Sequence, residues 1–174
     1  DDKGSPKGKL YQWGRRYGHG YSSDATKPSL MDGGVPLLYG NDQKYADIFY
    51  KGIYKYDYDW ISPQEDRLWN AGSESDPVKT EYDPCPDGWR VPVKDELEVL
   101  VAANSTWEEE LWGTGFDNGI LFFPGKSCRN YDGTPYSLSW RYWSSTPYNE
   151  YKSYSIDLDV DGTSMQSAYQ ACGF

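Results

Sequence analysis

The chain has 174 residues with 27 acidic and 17 basic side chains, which give a formal net charge of −10. This balance argues against nucleic acid as a partner, because affinity for nucleic acid depends on Lys and Arg side chains that neutralise phosphates. No stretch approaches the roughly 18 apolar residues of a membrane-spanning helix, so no membrane span is expected. The length suits a single domain over residues 1–174. Aromatic residues make up 17% of the chain, so we expect a core built from rings more than from aliphatic side chains.

The N-terminal half is predicted to hold two short extended pieces within much irregular chain. Apolar and polar residues alternate over residues 10–15, which predicts a first strand, and a second extended piece is predicted over residues 48–54. In residues 54–82 the turn-forming residues outnumber the periodic ones. We expect this segment to be irregular and to be packed onto the domain by Trp60 and Trp69.

A stiff turn over residues 84–88 precedes the one helix that the sequence clearly predicts. Its prolines fix φ, and its glycine supplies conformations that other residues avoid. Trp89 and Val91 follow the turn, and both are expected to point into the core. Pro92 then marks the boundary of the helix.

The predicted helix begins at Lys94. The apolar residues Leu97, Leu100 and Val101 fall at the i, i+3, i+4 spacing of one buried helical face. Val93 stands where a hydroxyl side chain would cap the helix, and the loss of such a cap costs on the order of 1 kcal/mol. An apolar contact between Val93 and Leu97 is the alternative way to fix the start of the helix.

Beyond the helix the sequence reads as strands and turns. Residues 116–123 read as two strand ends around an Asp-Asn-Gly turn, the kind that hairpins prefer. Residues 107–111 are predicted to add a short helical turn. Trp143 is expected to lie at the start of a buried strand.

The last hairpin has the clearest pattern. Apolar and polar residues alternate over residues 154–160, which predicts a half-buried strand, and Asp161 and Gly162 are the predicted turn. Asp157, Asp159 and Asp161 also copy the opening of an EF-hand calcium loop, but the position of the closing Glu holds Ala168. The alternation explains the same residues without an ion, so no metal site is predicted.

Several motifs in the C-terminal half resemble one known family. Cys-Pro-Asp-Gly-Trp-Arg-Val-Pro at residues 85–92 and Lys-Asp-Glu-Leu at residues 94–97 resemble the signature "C-P-x-G-W-R-V-P-T-x-x-E" of the Fibrobacter succinogenes major paralogous domain family. Val93 departs from the Thr of that signature. Three later motifs match further pieces of the family pattern in the right order, at residues 122–125, 142–145 and 171–174.

The resemblance implies a fold and a location. Members of that family are similar to C-type lectin-like domains and occur in secreted, surface and fimbrial-tip proteins, especially of Bacteroides-type bacteria. It therefore implies an α+β fold of C-type lectin-like architecture, with an antiparallel sheet, one main helix and long loops. Residues 1–84 would form a loop-rich N-terminal part and residues 85–174 the family-like core. The expected location is extracellular or on the outer-membrane surface.

The function that the resemblance implies is non-catalytic adhesion or glycan recognition. The partner would be a glycan or a host or bacterial surface protein, and no cofactor is expected. One alternative is a structural subunit of a fimbrial or surface assembly, in which the aromatic residues contact protein partners. Another is an enzyme on a fold like that of formylglycine-generating enzymes, but their activity requires a cysteine pair that we do not find here. The only histidine, His19, lies in a glycine-rich loop, which disfavours a Ser-His or Cys-His arrangement.

The three cysteines suggest one disulfide. Cys128 and Cys172 both lie in predicted strands, so we expect them to pair. The resemblance leaves Cys85 to pair with a cysteine beyond the end of this sequence. No C-x-x-C motif occurs and only one histidine is present, so a structural zinc site is not expected.

The candidate ligand-binding residues flank the Trp143 strand. Rings beside amide and carboxylate groups suit a sugar, whose faces are apolar and whose edges carry hydroxyls. The alternative is that these rings only cover a loop-rich core. The candidates are Asn130, Tyr131, Asp132, Tyr136, Trp140, Arg141, Tyr148, Asn149, Glu150 and Tyr151. Structural roles are predicted for Cys85, Trp89, Arg90, Leu97 and Trp143. Arg90 and Arg129 are interpreted as paired structural arginines, with anion capture as the alternative.

Overall fold

A computed structural model describes residues 9–19, 29–103, 105–108, 113–116, 121–125, 128–136 and 140–174. Strands account for 41% of these residues and helices for 13%. The strands form four separate small sheets. Within the described parts of the chain, no helix has the length and apolar character needed to cross a bilayer.

The helical elements are α1 (Leu37–Gly40) and α2 (Lys94–Ala102), with 3-10 turns at Gln43–Tyr45 and Tyr54–Tyr56. The strands are β1 (Ser29–Asp32), β2 (Ile48–Lys51), β3 (Ser105–Glu108), β4 (Gly113–Phe116), β5 (Leu121–Pro124), β6 (Cys128–Arg129), β7 (Pro135–Tyr136), β8 (Trp140–Asn149), β9 (Lys152–Asp159) and β10 (Gly162–Tyr169). The sheets are β1-β2, β10-β9-β8, β3-β4-β5 and β6-β7.

The predicted fold class, an α+β C-type lectin-like domain, is wrong. The architecture is mostly β, its strands are divided among four sheets, and β1 and β2 pair in parallel. Seven of the ten described strands have two to four residues, and β8, β9 and β10 are longer. The one main helix, α2, does begin at Lys94 as predicted. Beyond it, every described element is a strand, also as predicted.

The three-stranded sheet β10-β9-β8 contains the hairpin that the alternation predicts. Ile156 and Leu158 are buried. Asp159 pairs with Gly162, so the two-residue loop is Val160 and Asp161, one position earlier than predicted. Val160 consequently lies in the turn, with 60% of its surface exposed, instead of on the buried face. The Oδ1 atom of Asp159 accepts hydrogen bonds from the amides of Asp161 and Gly162, so this carboxylate stabilises the turn.

The predicted first strand is not formed as a strand. Leu10 and Gln12 make only isolated bridges, to His19 and Gly173 respectively. Gln12 is buried, and its side-chain amide donates to the carbonyls of Tyr50 and Ala171, both at 2.7 Å. Side-chain bonds therefore replace a strand ladder at this position. The second predicted extended piece is confirmed over its first part, as β2.

Tryptophan rings form the main core, as the composition suggested. Trp13, Trp60 and Trp69 are all buried. The indole N–H of Trp60 donates to the Trp13 carbonyl at 2.6 Å, and that of Trp13 donates to the Ser144 carbonyl at 2.9 Å. These bonds satisfy the indole N–H groups of Trp13 and Trp60 and join the N-terminal half to β8. The predicted packing role of Trp60 and Trp69 is confirmed.

A second apolar cluster lies under α2. Leu97 packs there with Phe116 and Ile156, and all three are buried. Phe116 ends β4 and pairs with Leu121 of β5, so the predicted strand ends are confirmed. The turn between them, residues 117–120, lies outside the described residues. The predicted helical turn at residues 107–111 is wrong in its first two residues, which belong to β3, and the remainder lies outside the described residues.

Trp89 is a correction to the predicted core. Its side chain is 72% exposed, whereas Val91 is buried. The amide of Trp89 donates to the Pro86 carbonyl at 3.0 Å and closes the turn, while the amide of Val91 is held by the Asp83 carboxylate at 2.8 Å. This anchoring turns the chain so that only Val91 points inward. Arg90 forms two 2.7 Å hydrogen bonds with the Glu96 carboxylate.

The predicted disulfide is also corrected. Cys85 and Cys172 are free thiols, so no disulfide joins Cys172 to Cys128. Arg129 pairs directly with Gly173, so the two cysteines before them are diagonal neighbours across the strands. Such Cα atoms lie about 7–8 Å apart, more than a disulfide normally spans. The Cys128 thiol donates to the Tyr136 carbonyl at 3.5 Å.

Candidate functional site

Five tyrosines gather on one part of the surface. Tyr58 lies at their centre, with ring centroids 4.9 Å from Tyr131, 5.1 Å from Tyr169 and 6.2 Å from Tyr54. The Tyr131 and Tyr169 rings are 5.2 Å apart, and Tyr151 lies 6.1 Å from Tyr169. We call these five residues the tyrosine cluster. Tyr54 is 81% exposed and the other four are half-buried, so the cluster is open to solvent on one side.

An unusual turn places the central ring. Asp57 and Tyr58 have φ values of 49° and 62°, so two successive non-glycine residues adopt the left-handed conformation. Such residues cost energy and persist only where the surrounding structure holds them. Gly52 supplies this support, because a Cβ at that position would overlap the backbone of Tyr58. The Gly52 amide also donates to the Tyr131 carbonyl at 2.7 Å, so one glycine fixes two members of the cluster.

The sheet supplies the other two half-buried rings. Tyr169 ends β10, where it pairs with Lys152, and the Lys152 ammonium lies 4.8 Å from the Tyr169 ring centroid. Tyr151 belongs to the turn between β8 and β9. The Asn149 side-chain oxygen accepts from the amides of Tyr151 and Lys152, at 3.2 Å and 2.9 Å. Asn149 therefore shapes this turn through its carbonyl oxygen.

A buried carboxylate follows the central tyrosine. The Oδ1 atom of Asp59 accepts from the Trp60 amide at 2.6 Å, while its Oδ2 atom is buried and has no hydrogen-bond partner among the described residues. Burial raises the pKa of Asp59 to about 7, and the nearby Asp66 carboxylate acts in the same direction. Burial, with Glu65 and Glu150 close by, also raises the pKa of Asp66. Asp59 and Glu150 are thus the chain neighbours of two rings of the cluster, Tyr58 and Tyr151.

The structure brings part of the predicted site together. Tyr131 and Tyr151 belong to the tyrosine cluster, and Asp132 and Glu150 are exposed chain neighbours of those two rings. The Asp132 carboxylate accepts from the backbone and hydroxyl of Thr134, which lowers its pKa together with the more distant Lys51. These residues supply hydrogen-bonding groups next to the rings.

Other candidates are used elsewhere. Trp140 stacks on Trp107, with ring centroids 4.4 Å apart and planes within 10°. Arg141 is bound by the Asp157 carboxylate at 3.2 Å. Tyr148 is 53% exposed and meets only the edge of Tyr154 among the described rings.

Two further candidates take part in backbone hydrogen bonding or strand pairing. The amide of Asn130 donates to the Thr134 carbonyl at 2.9 Å and so closes a loop. Tyr136 pairs with Cys128 between β7 and β6. Neither residue has a ring contact with the tyrosine cluster among the described pairs. Of the predicted structural residues, Leu97 and Trp143 are buried.

Sequence reasoning missed Tyr54, Tyr58 and Tyr169. The alternation of Tyr and Asp at residues 56–59 was the available signal for Tyr58, but it predicted only irregular packing. Nothing in the local sequence of Tyr169 distinguishes it from an ordinary strand residue. The cluster joins four segments of the chain, and only the folded chain shows that they meet.

The single histidine is poorly suited to general base catalysis. His19 is buried, and burial together with Arg15 and Arg129 lowers its pKa to about 3, so it is a poor general base at neutral pH. In the parts of the chain that the structure describes, no three His, Cys, Asp or Glu side chains gather as a metal site. The tyrosine cluster offers ring faces and hydroxyl groups. Asp132, Glu150 and Lys152 add carboxylate and ammonium groups next to its rings.

Comparisons with known proteins identify no relative of this chain: no family model, no curated protein and no solved structure matches it.

Proposed function

We propose that this chain is a non-catalytic surface domain that recognises glycans through the tyrosine cluster. The observation that carries the proposal is the contact among five tyrosine rings drawn from four segments of the chain, with Tyr54 almost fully open to solvent. Tyrosine offers an apolar face and a polar edge, which match the two kinds of surface on a sugar ring. The motif resemblance described above supports the same proposal and an extracellular or outer-membrane location.

The geometry suits weak, selective binding. A ring held by neighbouring rings loses little conformational freedom when a ligand stacks on it, so most of the stacking energy is available for binding. Asp132, Glu150 and Lys152 stand next to the rings in the chain or in space, and each offers a hydrogen bond to a hydroxyl. The arrangement requires no reactive group.

The test compares two exposed tyrosines. Tyr54→Ala removes the most exposed ring of the cluster, and Tyr148→Ala removes a ring of 53% exposure outside it. On a glycan array followed by calorimetry, Tyr54→Ala should weaken binding about 2-fold to 10-fold, the loss of one aromatic contact. Tyr148→Ala should leave the affinity unchanged. Equal losses in both variants, or no glycan bound by the unaltered protein, would refute the proposal.

A second candidate function is a structural subunit of a fimbrial or other surface assembly. An apolar cavity of about 270 Å³, with no lining residue from the tyrosine cluster, favours it. Such a cavity fits a protein side chain better than a sugar, which carries hydroxyls around its ring.

A further inference from the structure

The apolar cavity is walled by rings from distant segments. Its lining includes Trp69, Leu97, Phe123, Tyr142, Trp143 and Phe174. Trp143 and Phe174 stack with centroids 4.2 Å apart. The indole N–H of Trp143 donates to the Tyr11 carbonyl at 2.8 Å, and the Tyr142 hydroxyl donates to the Pro124 carbonyl at 2.6 Å. Because the polar groups of Trp143 and Tyr142 are bonded elsewhere, these two rings present apolar surface to the cavity.

A polar groove of about 440 Å³ adjoins this cavity. The two share Pro84 and Cys85 as lining residues. The groove is lined by three acidic and two basic side chains, and one pair of them, Lys79 and Asp83, is joined by a 2.8 Å salt bridge. The other charged side chains that line the groove are Arg16, Glu81 and Asp87. The described lining residues therefore carry a net charge of −1.

The wall between cavity and groove is preorganised. The Asp83 side chain is fully buried and accepts hydrogen bonds from the amides of Cys85 and Val91, each at 2.8 Å. The Lys79 ammonium bonds the same carboxylate and also the Cys85 carbonyl, at 2.6 Å. A surface held in this way loses little freedom when a partner binds, which favours affinity.

We propose that the cavity and groove together bind an extended segment of a protein partner, with one bulky apolar side chain in the cavity and a basic side chain in the groove. Interfaces commonly depend on a single large residue that fills a desolvated pocket, with polar groups around it. The cavity is smaller than the roughly 300 Å³ at which pockets for whole small molecules begin. The acidic excess of the groove, on a chain of net charge −10, selects a positive flanking residue.

Among the described residues that line the cavity, the Lys9 ammonium supports this orientation. Lys9 lines the cavity but not the groove, and Arg141, the other cation there, is paired with Asp157. Positive charge therefore lies at the cavity end and negative charge at the groove end. A basic residue of the partner is favoured only on the groove side.

The test uses labelled peptides and fluorescence anisotropy with the whole chain. The probe is acetyl-Gly-Lys-Lys-Trp-Gly amide, and its controls replace Trp with Ala or both Lys with Glu. We expect the Trp→Ala peptide to bind at least about tenfold more weakly, because it lacks the anchor. The Glu peptide should bind several-fold more weakly, and this difference should shrink at high salt.

Two pairs of variants locate the site. Cys85→Phe adds a ring where cavity and groove meet and should weaken peptide binding about tenfold, whereas Cys85→Ser leaves the space open and should not. Asp87→Lys should weaken binding of the acetyl-Gly-Lys-Lys-Trp-Gly amide probe. Asp161→Lys makes the same reversal of charge at the β9–β10 turn and should have no effect. Near-ultraviolet circular dichroism confirms that each variant is folded.

Three results would overturn the proposal. They are equal binding of the Trp and Ala peptides, preference for the Glu peptide, and unchanged binding by Cys85→Phe. Loss of glycan binding in Tyr54→Ala does not bear on this site, because Tyr54 lines neither the cavity nor the groove.

Discussion

The hydroxyl of Thr146 in β8 accepts a hydrogen bond from the backbone amide of Lys94, at 3.0 Å. Lys94 is the first residue of α2, and Val93 before it has no side-chain oxygen to offer. A residue 52 positions later in the chain thus supplies the cap that the local sequence lacks. The Glu96 carboxylate reaches back to the Val93 amide at 3.0 Å and satisfies a second donor.

Removing the hydroxyl of Thr146 should destabilise the protein. Thr146→Val keeps the shape of the side chain but leaves the Lys94 amide without this acceptor, so the free energy of unfolding should fall by about 1 kcal/mol. Urea denaturation measures the change. Thr146→Ser keeps the oxygen and should lose less than half as much. An equal loss in both variants would show that the hydrogen bond to the Thr146 oxygen does not account for the effect, because Thr146→Ser keeps that oxygen.

Asp59 should make stability depend on pH. Its pKa in the folded protein, about 7, is above the ordinary value near 4 in the unfolded chain. The folded state therefore holds the proton more tightly, and the contribution of Asp59 to the free energy of unfolding falls as pH rises from about 4 to about 7. Asp59→Asn keeps the oxygen that accepts from Trp60 and cannot ionise, so it should remove this contribution.

The measurement is the difference between the two proteins. The free energy of unfolding of Asp59→Asn minus that of the unaltered chain should increase between pH 5 and pH 8. Taking this difference cancels other titrating groups that the substitution does not touch. A difference that stays constant over this range would show that Asp59 ionises normally.

His19 should not titrate between pH 8 and pH 5. Its pKa in the folded protein, about 3, is far below the unfolded value near 6.5, so the ring stays neutral in the fold. The unfolded chain takes up the proton instead, and stability due to His19 is lost as pH falls below about 6.5. Because the chain has one histidine, its ring signals in a proton NMR titration are unambiguous. Movement of those signals with a midpoint above pH 5 would contradict the buried position.

Gly52→Ala should displace Tyr58, the central residue of the tyrosine cluster. The new methyl group would overlap the backbone of Tyr58, so the central ring must move and glycan binding should weaken together with stability. Gly88→Ala is the matched control. It strains a backbone with φ of 82° in a position without close neighbours, and it should cost about 1–2 kcal/mol of stability with no change in glycan affinity. If both variants keep full affinity, Gly52 does not position the binding surface.

Local patterns predicted the elements whose stabilising contacts are local. The spacing of Leu97, Leu100 and Val101 identified α2, and the alternation around Ile156 identified β9. In these elements the period of the side chains directly reflects the face that becomes buried.

The errors arose where the result was determined by hydrogen bonds or strand register that the side-chain pattern does not reveal. Trp89 looked like a core residue, but the direction of its side chain is set by the bonds that Pro86 and Asp83 make with the backbone. The cysteine pairing failed because register, not strand membership, decides the distance between Cys128 and Cys172. The tyrosine cluster escaped for a similar reason, since Tyr58 and Tyr169 are separated by more than a hundred positions in the chain.

The side chain of Gln12 has a consequence for how the molecule is made. Its amide joins Tyr50 to Ala171, a residue 159 positions away. The β9–β10 hairpin can form from neighbouring residues as soon as they leave the ribosome, but the Gln12 bridge must wait until Ala171 has been synthesised. Until then the buried side chains of the N-terminal half, such as Trp13 and Tyr50, lack their contacts with Ala171, and they stay exposed to aggregation or to capture by a chaperone.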